Sequence, residues 1–146
     1  MKKIFLFVIL LSIFIYIFYE RVDLCPCDDL EQFDVQTDFD GDNCIVYGDL
    51  TLESYKAKDF KFTHLPDGLI VNGNLTIKGT HLKELPIGLI VKGDLDLYKT
   101  GIDNLPENLL IEGNFYSSLS FGSRGILCNE IAASVTIKGH NQGCYN

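Results

Sequence analysis

Basic residues are scarce in this chain. It has 12 lysines and arginines against 20 aspartates and glutamates, which gives a formal net charge of −8 over 146 residues. Proteins that bind nucleic acids neutralise phosphates with lysine and arginine, so this balance argues against a nucleic-acid partner. The length predicts one small domain.

A clustered acid–base set is also missing. The three histidines, His64, His81 and His140, are scattered along the sequence, and no serine or cysteine has a recognisable base partner. General acid–base and nucleophilic catalysis need such groups within hydrogen-bond reach of each other. We therefore expect no enzymatic activity, no catalytic residues and no organic cofactor.

Charged residues are absent from positions 4–19, a run of apolar and aromatic side chains that follows Lys2 and Lys3. Two cations before a long apolar stretch are typical of an export signal. As a helix the run would span roughly 24 Å, close to the roughly 30 Å of a bilayer core. No small-x-small cleavage site follows. We favour an uncleaved anchor within residues 1–22, which predicts a single-pass membrane protein with its C-terminal part outside the cytoplasm. The alternative is a cleaved signal and a secreted protein.

Lysine and arginine are missing between Asp23 and Asp49, where nine acidic residues fall. Within this acidic neck, residues 23–45, the spacing of Asp38, Asp40 and Asp42 matches the first three ligands of an EF-hand loop, with Asp49 at the twelfth position. The sixth position is Asn43 instead of glycine, and residues after Asp49 indicate a strand instead of a helix. The sequence thus predicts a possible Ca²⁺ site, with a solvated turn as the alternative.

The five cysteines flank the central part of the chain: Cys25, Cys27, Cys44, Cys128 and Cys144. In an exported protein they predict disulfides. One pair drawn from the first three cysteines, together with Cys128–Cys144, would leave one thiol for a bond between chains. Zinc is disfavoured because no second close pair accompanies Cys25 and Cys27.

A repeat of 20 residues dominates the remainder of the sequence. Leu75, Leu95 and Phe115 are 20 residues apart, and Leu-Pro recurs at the same interval at Pro66, Pro86 and Pro106. An early unit at 46–52 precedes the next by 25 residues, with the five extra residues placed between Glu53 and Thr63. A degenerate unit at 131–139 is predicted to keep the 20-residue phase. Apolar and polar residues alternate within each unit, which favours a strand.

This pattern resembles the short, bacterial-type class of the leucine-rich-repeat family. The motifs that carry the resemblance are Leu75-x-Ile77-x-x-Thr80-x-Leu82-x-x-Leu85-Pro86 and its counterpart from Leu95 to Pro106. The resemblance as a whole extends over about residues 46–140. The asparagine ladder of the family is replaced here, at positions Thr80, Thr100, Ser120 and His140. The cysteines of the neck resemble the N-terminal cap of extracellular members.

The expected fold is therefore mainly β: a solenoid of about five turns over residues 46–146, with a C-terminal cap, preceded by the neck and the hydrophobic helix. One 20-residue unit cannot bury its apolar face alone, whereas stacked units share a continuous core.

The resemblance implies that ligands bind the outward face of the strands. Three outward columns are expected: Asp49, Asn74, Asp94, Asn114 and Ser134; Thr51, Thr76, Asp96, Tyr116 and Thr136; and Glu53, Lys78, Tyr98, Ser118 and Lys138. From them we select as partner-binding residues Thr76, Lys78, Asp94, Asp96, Tyr98, Asn114 and Tyr116. The exposed stripe covers roughly 200–250 Å², below the roughly 800 Å² per partner of a standard interface.

Two functions follow from this sequence. The first is a membrane-anchored or secreted recognition module that binds a protein or glycan through its strand face. The alternative is a structural surface or spacer protein that assembles through its repeats or a cysteine, as a homo-oligomer.

Overall fold

The computed structural model describes residues 27–53, 63–118 and 124–145. The predicted membrane segment at 4–19, Cys25, Ser120 and the five extra residues placed after Glu53 lie outside these ranges. Within them, no helix is long and apolar enough to cross a membrane.

The described chain is built mainly of short strands, with two 3-10 helices at Cys27–Phe33 and Cys128–Glu130. The strands are β1 (Gln36–Asp40), β2 (Asn43–Tyr47), β3 (Leu50–Glu53), β4 (Ile70–Asn72), β5 (Leu75–Lys78), β6 (Ile90–Val91), β7 (Leu95–Tyr98), β8 (Leu110–Ile111), β9 (Phe115–Ser118), β10 (Ile126–Leu127), β11 (Thr136–Ile137), β12 (Asn141–Gln142) and β13 (Cys144–Tyr145).

The strands form two main sheets that run side by side along the molecule. One sheet has the order β1-β2-β4-β6-β8-β11, in which all pairs except β1–β2 are parallel; the other is the parallel sheet β3-β5-β7-β9-β12. Each repeat unit, predicted to contain one strand, contains two short strands. The chain bends between them at a glycine and the residue after it, as at Gly73 and Asn74 between β4 and β5. We call each such pair of strands a rung.

The register confirms that Leu75, Leu95 and Phe115 lie on adjacent rungs, where each pairs directly with the next. Leu50 pairs with Leu75, which confirms the 25-residue step at the start. All three leucines and Phe115 are fully buried, and a single apolar cluster runs through all the rungs. The alternation of apolar and polar residues along each rung explains this burial, because Val71, Leu75 and Ile77 face inward while Asn72 faces solvent.

The spacing predicted between the last rung and the one before it, 20 residues, is wrong. Ile137 pairs with Ile111 and Asn141 pairs with Phe115, so this rung follows the previous one by 26 residues instead of 20. The second 3-10 helix lies in the segment between β9 and β11, which carries the six extra residues. Val135, predicted to follow Phe115 in the core, instead lies one rung beyond Leu109, as shown by the bond from Thr136 N to Leu109 O, 2.9 Å.

Each end of the stack carries a disulfide. Cys27 in the first helix is bonded to Cys44 in β2, and Cys128 in the second helix is bonded to Cys144 in β13. Both bonds agree with the predicted pairing scheme. Disulfides persist in oxidising surroundings, so they indicate an extracellular or secreted location.

Candidate functional site

Five of the predicted partner-binding residues come together on the outer face of the β3-β5-β7-β9-β12 sheet. Thr76, Asp96 and Tyr116 are direct neighbours in register, one on each of three successive strands. Lys78 and Tyr98 form a second row two residues further along the same strands, and Ser118 continues it. We call Thr76, Lys78, Asp96, Tyr98 and Tyr116 the strand-face patch.

Tyr98 stands at the most exposed point of this patch, with 38% of its surface accessible. The Nζ atom of Lys78 lies 5.4 Å from the centre of its ring, and that of Lys99 lies 5.2 Å away. Both distances are within the range of a cation–π contact. Lys78 also lies 3.8 Å from Oε1 of Glu53, which is buried at the base of the row. Two cations thus lie close to the ring, which remains partly exposed to solvent.

Asp96 brings a carboxylate to the centre of the strand-face patch. Partial burial raises its pKa above the ordinary value of 3.8, and the charge of Lys78 lowers it in part. Burial raises the pKa because it disfavours the charged form of an acid. Above that pKa, ionised Asp96 lowers the stability of the fold, and a positively charged or hydrogen-bonding partner would compensate for this cost.

Two predicted partner-binding residues, Asp94 and Asn114, are engaged in hydrogen bonds between rungs. They belong to a ladder in which each Asp or Asn side chain accepts a hydrogen bond from the backbone of the next rung. The bonds are Asp49 Oδ1 to Asn74 N at 2.7 Å, Asn74 Oδ1 to Asp94 N at 2.8 Å, Asp94 Oδ1 to Asn114 N at 2.6 Å and Asn114 Oδ1 to His140 N at 2.8 Å. The side chains selected as ligand contacts therefore join the rungs to one another.

The glycine before each ladder residue makes this ladder possible. Backbone bonds link Gly93 N to Gly73 O and Gly113 N to Gly93 O, each at 2.9 Å. A Cβ atom on Gly93 would overlap Oδ1 of Asn74 and would come within 2.9 Å of the carbonyl of Gly73. The repeated Gly-Asx dipeptide is therefore required by close backbone approach, which only glycine allows.

Thr80 and Thr100, which the sequence pattern aligned with the ladder asparagine of leucine-rich repeats, do not belong to this Asx ladder. Thr80 and Thr100 are buried, and the Thr80 hydroxyl has no hydrogen-bond partner within the described ranges. His140 does not align with them, because its backbone N–H donates to Asn114 at the end of the Asx ladder.

The 26-residue step also changes the ends of the predicted columns. Gln142, and not Thr136, follows Tyr116 on the strand face. Ser134 lies beside Asn108, whose N–H donates to its hydroxyl at 3.2 Å. Lys138 belongs to the other sheet, where its Nζ lies 3.0 Å from Oε1 of Glu112, with Lys92 at 3.3 Å from the same atom. Hydrogen bonds from Lys138 and Lys92 lower the pKa of Glu112.

The residues of the predicted calcium loop lie on and beside a two-stranded hairpin. Asp38 and Asp40 lie on β1 of a two-stranded hairpin, where Asp38 pairs with Ile45 and Asp40 with Asn43. Oδ1 of Asp38 accepts a hydrogen bond from Phe39 N, and Asp49 is engaged in the Asx ladder. In the parts of the chain that the structure describes, no three His, Cys, Asp or Glu residues, Asp42 included, converge as a metal site. The spacing resembles an EF-hand, but the segment folds as a hairpin of two paired strands instead of a loop around a central point.

Searches against family models, curated proteins and solved structures returned no match for this chain. Sequence reasoning missed Lys99 and Gln142, which complete the strand face. Lys99 directly follows Tyr98 but has a positive φ of 50°, and this bend, which the strand periodicity did not predict, brings its ammonium group back over the ring.

Proposed function

We propose that this protein is a non-enzymatic recognition module of the leucine-rich-repeat type, a short solenoid that binds a protein or glycan through the strand-face patch. The observation that carries the proposal is the arrangement around Tyr98: an exposed aromatic ring with two lysines close to it. The row beside it contains the partly buried carboxylate of Asp96 and, in register with Asp96, a second tyrosine. Tyrosine supplies large contact area with a polar tip, which suits it to interfaces.

The rigidity of the surrounding sheet supports this role. The patch lies on parallel strands whose inward residues are buried and whose rungs are joined by the Asx ladder. A binding surface held by such a scaffold loses little conformational freedom when a ligand binds. The side chains are diverse in charge and shape, which is what specific recognition of one ligand requires.

The location of the module supports binding outside the cytoplasm. The two disulfides indicate an oxidising environment. We propose that residues 4–19 hold the chain at the membrane as a single-pass anchor, which would place the patch at the outer surface of a cell or particle. A secreted form is the alternative.

The strand-face patch is tested by replacing three of its residues together: Tyr98→Ala, Asp96→Ala and Tyr116→Ala. The full chain and the variant are applied to a glycan array and, in parallel, to intact cells, and bound protein is measured by flow cytometry. We expect loss of at least tenfold in binding, because aromatic residues at the centre of an interface dominate its free energy.

The matched control replaces exposed aromatic residues elsewhere, Phe39→Ala and Tyr47→Ala, which lie on the β1–β2 hairpin and are 57% and 49% exposed. Circular dichroism must show that all variants are folded. If the triple variant does not fold, the single variant Tyr98→Ala is tested in its place. Unchanged binding by a folded triple variant would contradict the proposal and would favour the spacer role.

A further inference from the structure

A groove lies on the connecting segments of the rungs, apart from the strand-face patch. It is formed where three successive Leu-Pro units stack, and its volume is about 440 Å³. This is within the range of about 300–1,000 Å³ that ligand sites occupy. None of its lining residues belongs to the strand-face patch.

The floor of the groove is apolar. Leu65, Leu85 and Pro86 are buried beneath it, and half-buried Pro106 reaches its surface. Proline has no N–H to satisfy, so stacked Leu-Pro units leave an apolar strip where other sequences would present polar backbone. The strip continues into Ile87, which lines the groove and is 63% exposed, the highest value among the exposed large apolar residues of the described chain.

The two walls follow the 20-residue repeat. One wall carries His64, Glu84 and Asn104; the other carries Asp67, Ile87 and Glu107. Adjacent rungs are in direct contact here, because Ile87 N donates to Oδ1 of Asp67 at 3.1 Å and Gly68 N donates to Ile87 O at 2.9 Å. The groove thus runs along the stack over three rungs, or roughly 10 Å.

The walls are acidic. Asp67, Glu84 and Glu107 line the groove, and no lysine or arginine is among its lining residues. Oε1 of Glu84 lies 2.9 Å from Nε2 of His64, so the Glu84 carboxylate already has a partner within the protein. Glu107 makes no hydrogen bond or ion pair with other residues of the described ranges, so its carboxylate is directed to solvent beside exposed Ile87.

We propose that this groove is a second binding site and that it takes an extended peptide segment of a partner protein, with an aliphatic side chain next to lysine or arginine. The aliphatic side chain packs on the proline floor beside Ile87, and the cation pairs with Glu107 or Asp67. A groove of roughly 10 Å accommodates about three extended residues at 3.3 Å each. Charge complementarity selects a basic segment, because an acidic one would place like charges together.

The test measures fluorescence anisotropy of labelled octapeptides with the full chain in a mild nonionic detergent. The three peptides contain Lys-Leu-Lys, Glu-Leu-Glu or Lys-Ser-Lys at the centre, with glycine and serine elsewhere. We expect saturable binding of the first peptide, with a dissociation constant on the order of 10⁻⁴ M, and binding at least tenfold weaker for the other two.

Two variants locate the bound peptide. Glu107→Lys reverses the charge of one wall, and Ile87→Ser removes the exposed apolar side chain; each is expected to weaken binding of the Lys-Leu-Lys peptide by at least tenfold. Asp29→Asn and Phe39→Ser remove a carboxylate and an exposed apolar side chain outside the groove and should leave binding unchanged. Both groove positions are exposed, so the variants are expected to fold, as circular dichroism will verify.

Several results would overturn the proposal: no saturable binding up to millimolar concentrations, equal binding of the acidic peptide, or equal effects of the groove and control variants. Strand-face variants distinguish this site from the proposed function. If Tyr98→Ala abolishes peptide binding while Glu107→Lys does not, the peptide occupies the strand-face patch and the groove is not its site.

Discussion

At the scale of single residues, the Asx ladder is the feature that most changes the interpretation of the sequence. Asp49, Asn74, Asp94 and Asn114 alternate between a carboxylate and an amide along the stack. Neighbouring rungs in a sheet are about 4.8 Å apart, so aspartate at every ladder position would place carboxylates directly beside one another. Alternation keeps every acceptor while separating like charges.

Replacement of Asn74 tests both functions of the ladder. Asn74→Ala removes the acceptor for Asp94 N, and we expect the free energy of unfolding to fall by about 1–2 kcal/mol. Asn74→Asp keeps an acceptor but places three carboxylates in a row, at a cost of about 1 kcal/mol per neighbouring pair. Urea unfolding at pH 7 measures both losses.

The dependence on salt concentration separates the two causes. The loss in Asn74→Asp should shrink as salt screens the repulsion between the carboxylates, whereas the loss in Asn74→Ala should not depend on salt in this way. Asn72→Asp is the control, because it adds the same charge two residues away on an exposed position outside the ladder. If Asn74→Asp is no less stable than Asn72→Asp at neutral pH, alternation of charge has no energetic role.

At the scale of elements, the ends of the stack are protected in different ways. The outer edge of the first sheet is β1, which carries Asp38 and Asp40 beside exposed Phe39. Charged side chains on an edge strand oppose pairing with another chain. The acidic neck that the sequence suggested as a calcium loop therefore provides a hairpin that covers the first rung and ends in a charged edge.

The two disulfides differ in accessibility, and this predicts the order in which they are reduced. Cys27 and Cys44 are only 2% and 1% exposed, whereas Cys128 and Cys144 are half-buried. Thiol–disulfide exchange needs access of a thiolate to sulfur, so a limiting concentration of reductant should open Cys128–Cys144 first. Mass spectrometry of peptides alkylated at successive times measures this order.

Both loops have similar length, with sequence separations of 17 and 16, so loss of either bond is expected to lower the free energy of unfolding by about 3 kcal/mol. The double variants Cys27→Ala/Cys44→Ala and Cys128→Ala/Cys144→Ala provide the comparison. Simultaneous reduction of both bonds in the folded protein would show that burial of Cys27 and Cys44 gives no protection.

Sequence reasoning found the rungs because their apolar residues repeat strictly, as Leu75, Leu95 and Phe115 do. It missed the bend within each strand, because Gly73 and Asn74 continue the alternation of the pattern while the backbone changes direction between them. It also assigned Asp94 and Asn114 to solvent, since polarity alone does not distinguish a ligand contact from a side chain that bonds the next rung. The last rung deviated because helix Cys128–Glu130 interrupts the period.

At the scale of the whole molecule, each described rung pairs with the rungs beside it, and one apolar cluster extends through all of them. The strand-face patch and the groove lie on different segments of the same rungs. Because the middle rungs share the same register, the fold should accept an additional rung between them without a change at either end of the stack.

Duplication of residues 85–104 directly after position 104, with Asp94→Asn in the copy, tests this property. The described ranges contain five rungs, so a sixth should raise the urea m-value by roughly one fifth, since this slope scales with the surface exposed on unfolding. The midpoint should rise as well, because the added rung buries its leucines against two neighbours. Duplication of residues 85–94 alone is the control: it shifts every later strand by half a rung, places polar residues toward the core, and should abolish cooperative unfolding. If the 20-residue insertion behaves like the 10-residue one, the rungs are not equivalent, and the stack depends on features particular to each unit.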